Sequence, residues 1–307
     1  MKSVAGVDLE VTELTRLRAQ AGSGWLKPKQ KARAMMAGQY HSAFKGRGMD
    51  FDQLRPYQVG DDIRRIDWRV TARTGKTHTK CFHEERERPV QLYVDLGVSM
   101  RFGSQVAFKS VTAARAAAVI AWSATAQGDR VGGMVSAGDC RRELRPRGRD
   151  QGAINLIQSL CRLHAEAPNE PTGSPLNLDL QHLLRSVKSG SLVVLLSDFY
   201  NLDDGSERYL GQLARHNVVV LGHVYDKLEQ NLPRAGRLGI SNGQQQTMLD
   251  TRDKQVVNAC TGAFQQRLLQ LQKLARKHAM HHLFISTAQP VQQQLEEGLL
   301  RRLHGDR

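Results

Sequence analysis

Acidic and hydroxyl side chains follow two apolar segments, at the points where buried strands are predicted to end. Asp95 ends the segment 90–95 and is followed by Ser99, and Asp198 comes directly after the apolar run 191–197. Carboxylate and hydroxyl oxygens are the hard ligands that Mg²⁺ prefers. If the two strands are neighbours, these three side chains converge at one edge of a sheet, where a partner's acidic residue could complete a metal site. The alternative is that Asp95 and Asp198 cap helices or accept backbone N–H groups in the turns.

The elements that would position these residues alternate between strands and helices from residue 90 to the end of the chain. Strands are predicted at 90–95, 130–136, 140–145, 191–197, 218–224, 246–249 and 282–286. Helices are predicted at 106–126, 151–164, 178–187, 205–216, 253–278 and 291–303. This order predicts an α/β fold with a doubly wound, mostly parallel sheet and helices on both faces. Ligands of such sheets bind beyond the carboxyl ends of the strands, where the strand order reverses.

The first third of the chain has a different character and is predicted to form a separate N-terminal region, 1–89, before an α/β domain over 90–307. Helices are predicted at 11–21 and 31–40. The stretch 46–88 is rich in glycine and charge, and is predicted to be an ordered loop region with a polar network.

Opposite charges alternate within the segment 60–69 of this region. The six residues concerned are Asp61, Asp62, Arg64, Arg65, Asp67 and Arg69. Aspartate and arginine form bidentate pairs, so we predict ion pairs within the chain, with Trp68 as an apolar anchor. Recognition of a partner is the second interpretation and a catalytic carboxylate pair the third. Arg65 and Arg73 are candidates for holding an anion.

Familiar enzyme motifs fail at single positions. Gly75-Lys76-Thr77 resembles the end of a phosphate-binding loop, but Val70 stands where the first glycine is required. Ser99 lies two residues after Gly97, but Arg101 replaces the second glycine of a serine-hydrolase elbow. The sequence therefore predicts a protein that is not an enzyme.

The net charge of +14, from 44 basic and 30 acidic residues, is compatible with an anionic partner. Aromatic residues make up 6% of the chain, which leaves few stacking platforms for nucleic acid. Four scattered cysteines form no disulfide framework, and no apolar run reaches the length of a membrane span. We therefore expect a cytoplasmic protein without a membrane span, for which peripheral membrane contact stays open.

The stretch 46–103 resembles the signature of domain-of-unknown-function family 58. The resemblance rests on Arg55-Pro56-Tyr57, Gly60-Asp61-Asp62-Ile63-Arg64-Arg65-Ile66-Asp67-Trp68, Thr71-Ala72-Arg73 and Glu84-Glu85-Arg86. It implies a von Willebrand A-like fold behind an N-terminal signature region. It also implies a MoxR-type AAA+ ATPase as partner, together with other von Willebrand A-type proteins, in chaperone-like assembly or maturation.

The resemblance further implies a metal-ion-dependent adhesion site that is degenerate in this chain. Asp95, Ser99 and Asp198 match three of five expected oxygen ligands, whereas Gly97 and Leu178 stand in the place of the other two. Mg²⁺ requires near-octahedral geometry, so the loss of two ligands argues against tight binding.

Three functions remain open at this point. The first is a non-enzymatic interaction module that serves as adaptor for the ATPase. The second is a basic nucleic-acid-binding protein, and the third is a metal-dependent hydrolase that uses Asp95 and Asp198.

Overall fold

The computed structural model describes residues 4–21, 49–58, 63–84, 89–166, 176–233, 236–241 and 246–304. The chain divides into two compact units, one formed by residues 1–29 and 88–307 and the other by residues 30–87. The larger unit thus includes the start of the chain, whereas the sequence predicted residues 1–89 as one region.

The described residues form strands and helices in the following order. The strands are β1 (Met49–Pro56), β2 (His78–Glu84), β3 (Pro89–Asp95), β4 (Arg130–Ala137), β5 (Cys140–Arg147), β6 (Leu192–Ser197), β7 (Val218–Tyr225), β8 (Arg237–Ser241), β9 (Gln246–Asp250) and β10 (His281–Ser286). The helices are α1 (Val11–Arg16), α2 (Trp68–Thr74), α3 (Lys109–Ala126), α4 (Arg149–Glu166), α5 (Leu176–Ser186), α6 (Asp204–His216), α7 (Lys227–Gln230), α8 (Lys254–Lys277) and α9 (Val291–His304). Short 3₁₀ turns lie at Leu17–Gln20, Ile63–Arg65 and Val98–Met100.

The larger unit is built on a six-stranded sheet in the order β10-β7-β6-β3-β4-β5. All neighbouring pairs are parallel except β4 with the edge strand β5. The first strand of this sheet in the chain, β3, is a central strand, and β4 and β5 follow on one side of it. The chain then continues with β6 on the other side of β3, followed by β7 and β10. This confirms the predicted doubly wound α/β fold, and it places the reversal of strand order between β3 and β6.

Helices cover both faces of this sheet, and each face has its own apolar core. Side chains alternate between faces along a strand. Val90, Leu92 and Val94 of β3 therefore pack with α3, α4 and α9 on one side. Tyr93 of β3 and Leu195 of β6 pack on the other side with α5, α6 and α8.

Helix α3 is buried along most of its length, because eight of its positions are alanines, seven of them buried, whose small side chains allow close approach to the sheet. The predicted helix at 106–126 begins only at Lys109, since Phe108 has extended backbone angles. A second close approach occurs at Gly133 of β4, which has a φ of 138°. A Cβ atom there would lie 2.0 Å from the carbonyl oxygen of Leu92, so the pairing with β3 requires glycine.

Helix α1 belongs to the larger unit because it packs against α3 and α4. Leu14 is fully buried, and its carbonyl oxygen accepts a hydrogen bond from Nε1 of Trp122 at 3.1 Å. Glu13 pairs with the guanidinium of Arg115 at 2.6 Å. These contacts explain why the division predicted at residue 89 does not separate α1 from the α/β unit.

The smaller unit contains regular structure where the sequence predicted a loop region. Strands β1 and β2 pair antiparallel, and α2 lies between them in the chain. Asp67 begins α2 by accepting the backbone N–H groups of Arg69 at 3.0 Å and Val70 at 3.2 Å. The prediction was wrong because polar strands that pair across some twenty residues carry little apolar periodicity. The helix predicted at 31–40 lies outside the described residues.

Strands β8 and β9 form an antiparallel pair, of which only β9 was predicted.

Among the residues that the structure describes, no helix combines the length and the apolar character needed to cross a bilayer.

Candidate functional site

Asp95 ends β3 next to the reversal of strand order, where α/β sheets bind ligands. Its carboxylate accepts the backbone N–H of Gly97 at 2.8 Å and the hydroxyl of Ser197, at the end of β6, at 2.7 Å. Burial, with the nearby charge of Asp198 as second cause, raises the pKa of Asp95 to about 7, although both hydrogen bonds act in the opposite direction. Asp95 therefore changes its charge near neutral pH.

Asp198 follows β6 and forms a buried ion pair with Lys109, the first residue of α3. Nζ of Lys109 lies 2.8 Å from Oδ2 of Asp198, and the two side chains are only 2% and 1% exposed. The other oxygen, Oδ1, accepts the backbone N–H of Tyr200 at 3.0 Å. Burial alone would raise the pKa of Asp198, but the Lys109 ammonium holds it below its ordinary value.

Glu229 of α7 is the second carboxylate on the Lys109 ammonium, at 2.7 Å. Burial would lower the pKa of Lys109, but the charges of Asp198 and Glu229 raise it above its ordinary value. The ring of Phe102 also faces the ammonium, with its centroid 5.8 Å from Nζ. Lys109 is therefore a buried, permanently charged cation with two carboxylate partners.

Asp226 extends this network to other loops at the same edge. It caps α7, and the side chain of Glu229 accepts the backbone N–H of Asp226 in return at 3.0 Å. Its carboxylate also accepts hydrogen bonds from the backbone and hydroxyl of Ser104 and from the hydroxyl of Thr287 at 2.6 Å. The loops after β3, β7 and β10 are thereby joined.

A second buried carboxylate, Asp179 of α5, lies on the same face of the sheet as Asp95. It accepts a hydrogen bond from the hydroxyl of Tyr93 at 2.8 Å and pairs with the guanidinium of Arg141. Burial, together with the charges of Asp95 and Asp179, raises the pKa of Tyr93 well above its ordinary value. Leu178, the neighbour that the sequence alignment placed at the metal ligand position, is 43% exposed.

The predicted convergence of Asp95 and Asp198 is present in the structure, since Ser197 contacts the first and immediately precedes the second. Ser99 lies in the 3₁₀ turn that follows β3. The alternative interpretation also describes real contacts, because both carboxylates accept backbone N–H groups in the turns.

The arrangement does not fit a divalent metal ion. Both oxygens of Asp95 and both of Asp198 already accept hydrogen bonds, and the Lys109 ammonium would repel a second cation. Any residue other than glycine at position 97 would place its Cβ 3.0 Å from Oδ1 of Asp95, which is a tight contact. The described residues hold no cluster of three or more His, Cys, Asp and Glu side chains that could bind a metal. With an ammonium group on Asp198 and no side-chain oxygen at position 97, this set of donors does not provide the coordination that Mg²⁺ needs.

The signature residues that the structure describes lie in the smaller unit. Arg55 and Tyr57 lie at and just after the end of β1, Arg64 and Arg65 in a 3₁₀ turn, and Arg73 in the last turn of α2. The prediction for Trp68 was wrong, because its side chain is 66% exposed and so does not anchor the segment. Asp61 and Asp62 lie outside the described residues, so the predicted ion pairs of this segment stay a prediction.

Sequence reasoning missed Lys109, Glu229 and Asp226. A lysine at the start of a helix that is otherwise alanine-rich and apolar is the one local signal, since such a helix must be buried. Its partners are 89 and 120 residues away in the chain, so no motif spacing could identify them.

Solved structures with a detectable likeness are distant. BatB from Bacteroides thetaiotaomicron shares 13% identity with a TM-score of 0.42, over 71% of this chain and 100% of that chain. A von Willebrand factor type A protein from Catenulispora acidiphila shares 11% identity with a TM-score of 0.35, over 74% of this chain and 44% of that chain.

Sequence relatives are closer. The uncharacterized proteins Rv1480 of Mycobacterium tuberculosis and Mb1516 of Mycobacterium bovis are each 28% identical over 221 residues, which is 71% of this chain and 68% of theirs. The family described as "Protein of unknown function DUF58" matches residues 53–267, from β1 of the smaller unit to the middle of α8. Because that match spans most of the chain, the protein belongs to the DUF58 family.

Proposed function

We propose that this protein is a non-enzymatic interaction module that acts as adaptor or partner of a MoxR-type AAA+ ATPase in the assembly or maturation of other proteins. The class of partner follows from the family resemblance. We place the contact at the carboxyl edge of the sheet.

The proposal rests on the exposed side chain of Tyr200, which lies at this edge of the sheet. Its side chain is 63% exposed, and the guanidinium of Arg267 lies over its ring at 4.8 Å. Tyrosine and arginine are enriched among the residues that dominate binding energy at protein interfaces. An aromatic ring held by a cation-π contact is already ordered before a partner arrives, which lowers the entropic cost of binding.

The backbone before Tyr200 supports a functional role for this turn. Phe199 has a φ of 51°, in the left-handed region that non-glycine residues rarely adopt, while its ring is fully buried. The N–H groups of Phe199 and Tyr200 are held by Ser197 and Asp198 at 3.0 Å each. Such strained positions concentrate at functional sites, because selection retains them there against their cost.

Direct binding of the purified chain to the MoxR-type ATPase of the same genome, with and without ATP, tests the proposal. We expect Tyr200→Ala to weaken the complex at least about tenfold, as truncation of a dominant interface residue does. Leu269→Ala, which truncates another exposed residue of the larger unit, is the matched control and should change the affinity less than about twofold. Absence of binding by the wild type, or equal binding by Tyr200→Ala, would contradict the proposal.

A further inference from the structure

We propose that the ammonium group of Lys109 is a built-in cation that replaces a divalent metal ion at the carboxyl edge of the sheet. The native site therefore takes no metal, and it gains metal binding when this side chain is shortened.

The position of the ammonium supports this assignment. It bridges Asp198, directly after β6, and Glu229, after β7, at 2.8 and 2.7 Å. Carboxylates from different loops that meet on one cation are the arrangement by which a metal site holds loops together. In this protein the singly charged ammonium of Lys109 holds the two loops together, at hydrogen-bond distance from each carboxylate.

The charges around Lys109 explain why it excludes a metal. Its two acidic partners, Asp198 and Glu229, leave this group of three charges with one net negative charge. An added dication would have to approach a buried ammonium that has little solvent to screen it. Removal of the ammonium would leave the two carboxylates without a directly bonded counter-ion, with the charge of Arg267 acting on Asp198 only from a distance. Such a pair of carboxylates favours the binding of a cation.

The ammonium also has the structural role that a bound ion would have. Glu229 uses one oxygen for Lys109 and the other for the backbone N–H of Asp226. Asp226 in turn binds Ser104 and Thr287. Lys109 is thus linked, directly or through Glu229, to the loops that follow β3, β6, β7 and β10.

Two substitutions at position 109 separate the charge from the volume of the side chain. Lys109→Ala removes both, and it leaves a space beside Asp198 and Glu229. Lys109→Met removes the charge but fills most of the space, so a metal ion has no room. Lys277→Ala is the matched control, because its ammonium also pairs with a carboxylate, Glu207, but lies 65% exposed.

Thermal unfolding and Mn²⁺ binding, the latter followed by paramagnetic resonance, test the proposal in the full chain. We expect the midpoint of the wild type to be the same with chelator and with millimolar Mg²⁺ or Mn²⁺. Lys109→Ala and Lys109→Met should unfold roughly 10 °C lower in chelator, while Lys277→Ala should stay within about 2 °C. Mn²⁺ should raise the midpoint of Lys109→Ala alone, and a second substitution, Asp198→Asn, should abolish that gain.

Saturable Mn²⁺ binding by the wild type that Asp198→Asn removes would overturn the proposal, and this measurement needs no variant of Lys109. An unchanged midpoint of Lys109→Met, or a failure of Mn²⁺ to stabilise folded Lys109→Ala, would also overturn it. If Lys109→Ala does not fold in chelator, recovery of folded protein by refolding in Mn²⁺ supports the proposal and no recovery contradicts it. None of these outcomes depends on whether the protein binds the ATPase.

Discussion

Asp95→Asn should make the folding stability of this protein less sensitive to pH. The amide oxygen of asparagine can still accept the N–H of Gly97, and its NH₂ group can donate to the hydroxyl of Ser197. The substitution therefore keeps the two hydrogen bonds and removes the negative charge that lies near Asp198.

The magnitude follows from the pKa of Asp95, which is raised from 3.8 to about 7 in the folded protein. A carboxyl group with a raised pKa stabilises the fold at low pH, and that contribution is lost as the pH rises through about 7. The whole interval corresponds to about 4 kcal/mol. Since Asp95 is only partly buried and part of the effect lies below pH 5, we expect about 2 kcal/mol between pH 5 and pH 9.

Urea denaturation between pH 5 and pH 9, followed by the fluorescence of tryptophans that include the buried Trp122, measures this difference. The free energy of unfolding of Asp95→Asn should exceed that of the wild type by about 2 kcal/mol more at pH 9 than at pH 5. Asp204→Asn, at an exposed position in the first turn of α6, is the control and should show no such trend. A difference that is the same at both pH values, or that is larger at pH 5, would refute the reasoning.

Two further variants test the rest of the fold. Burial, helped by the neighbouring His282, lowers the pKa of His223 to about 3, so stability is lost as the pH falls below the ordinary value of 6.5. His223→Phe, in a cluster of aromatic rings, should reduce the loss between pH 7 and pH 5 by roughly 2 kcal/mol in urea denaturation; an unchanged loss would contradict this. Gly133→Ala should lower stability by about 4 kcal/mol or prevent folding, as circular dichroism would report, because the new Cβ meets the Leu92 carbonyl. Gly262→Ala, in open space on α8, should be neutral or slightly stabilising, and equal unfolding of both alanine variants would show that the close approach is unimportant.

Local sequence patterns were sufficient to predict the α/β class of the larger unit and the strands of its main sheet. Apolar runs such as Leu192–Ser197 identify buried strands, because a strand covered on both faces needs apolar side chains at every position. The alternation of strands and helices then predicts the doubly wound sheet, and it places Asp95 and Asp198 at the carboxyl edge. The pairing of β1 with β2 was not predictable in this way, because their residues have weak apolar periodicity and are stabilised by distant partners.

The sequence by itself placed Asp95 and Asp198 at the carboxyl ends of buried strands, since strand ends follow from local apolar patterns. That the two strands are neighbours, so that the carboxylates meet, came from the strand order of the structure. Only the tertiary structure decided what neutralises them. Asp198 meets Lys109 across 89 residues, and Glu229 meets it across 120. Such contacts depend on the packing of α3 against the sheet and on the turns after β6 and β7, which no spacing in the chain encodes. The tertiary structure thus places a buried lysine ammonium between Asp198 and Glu229.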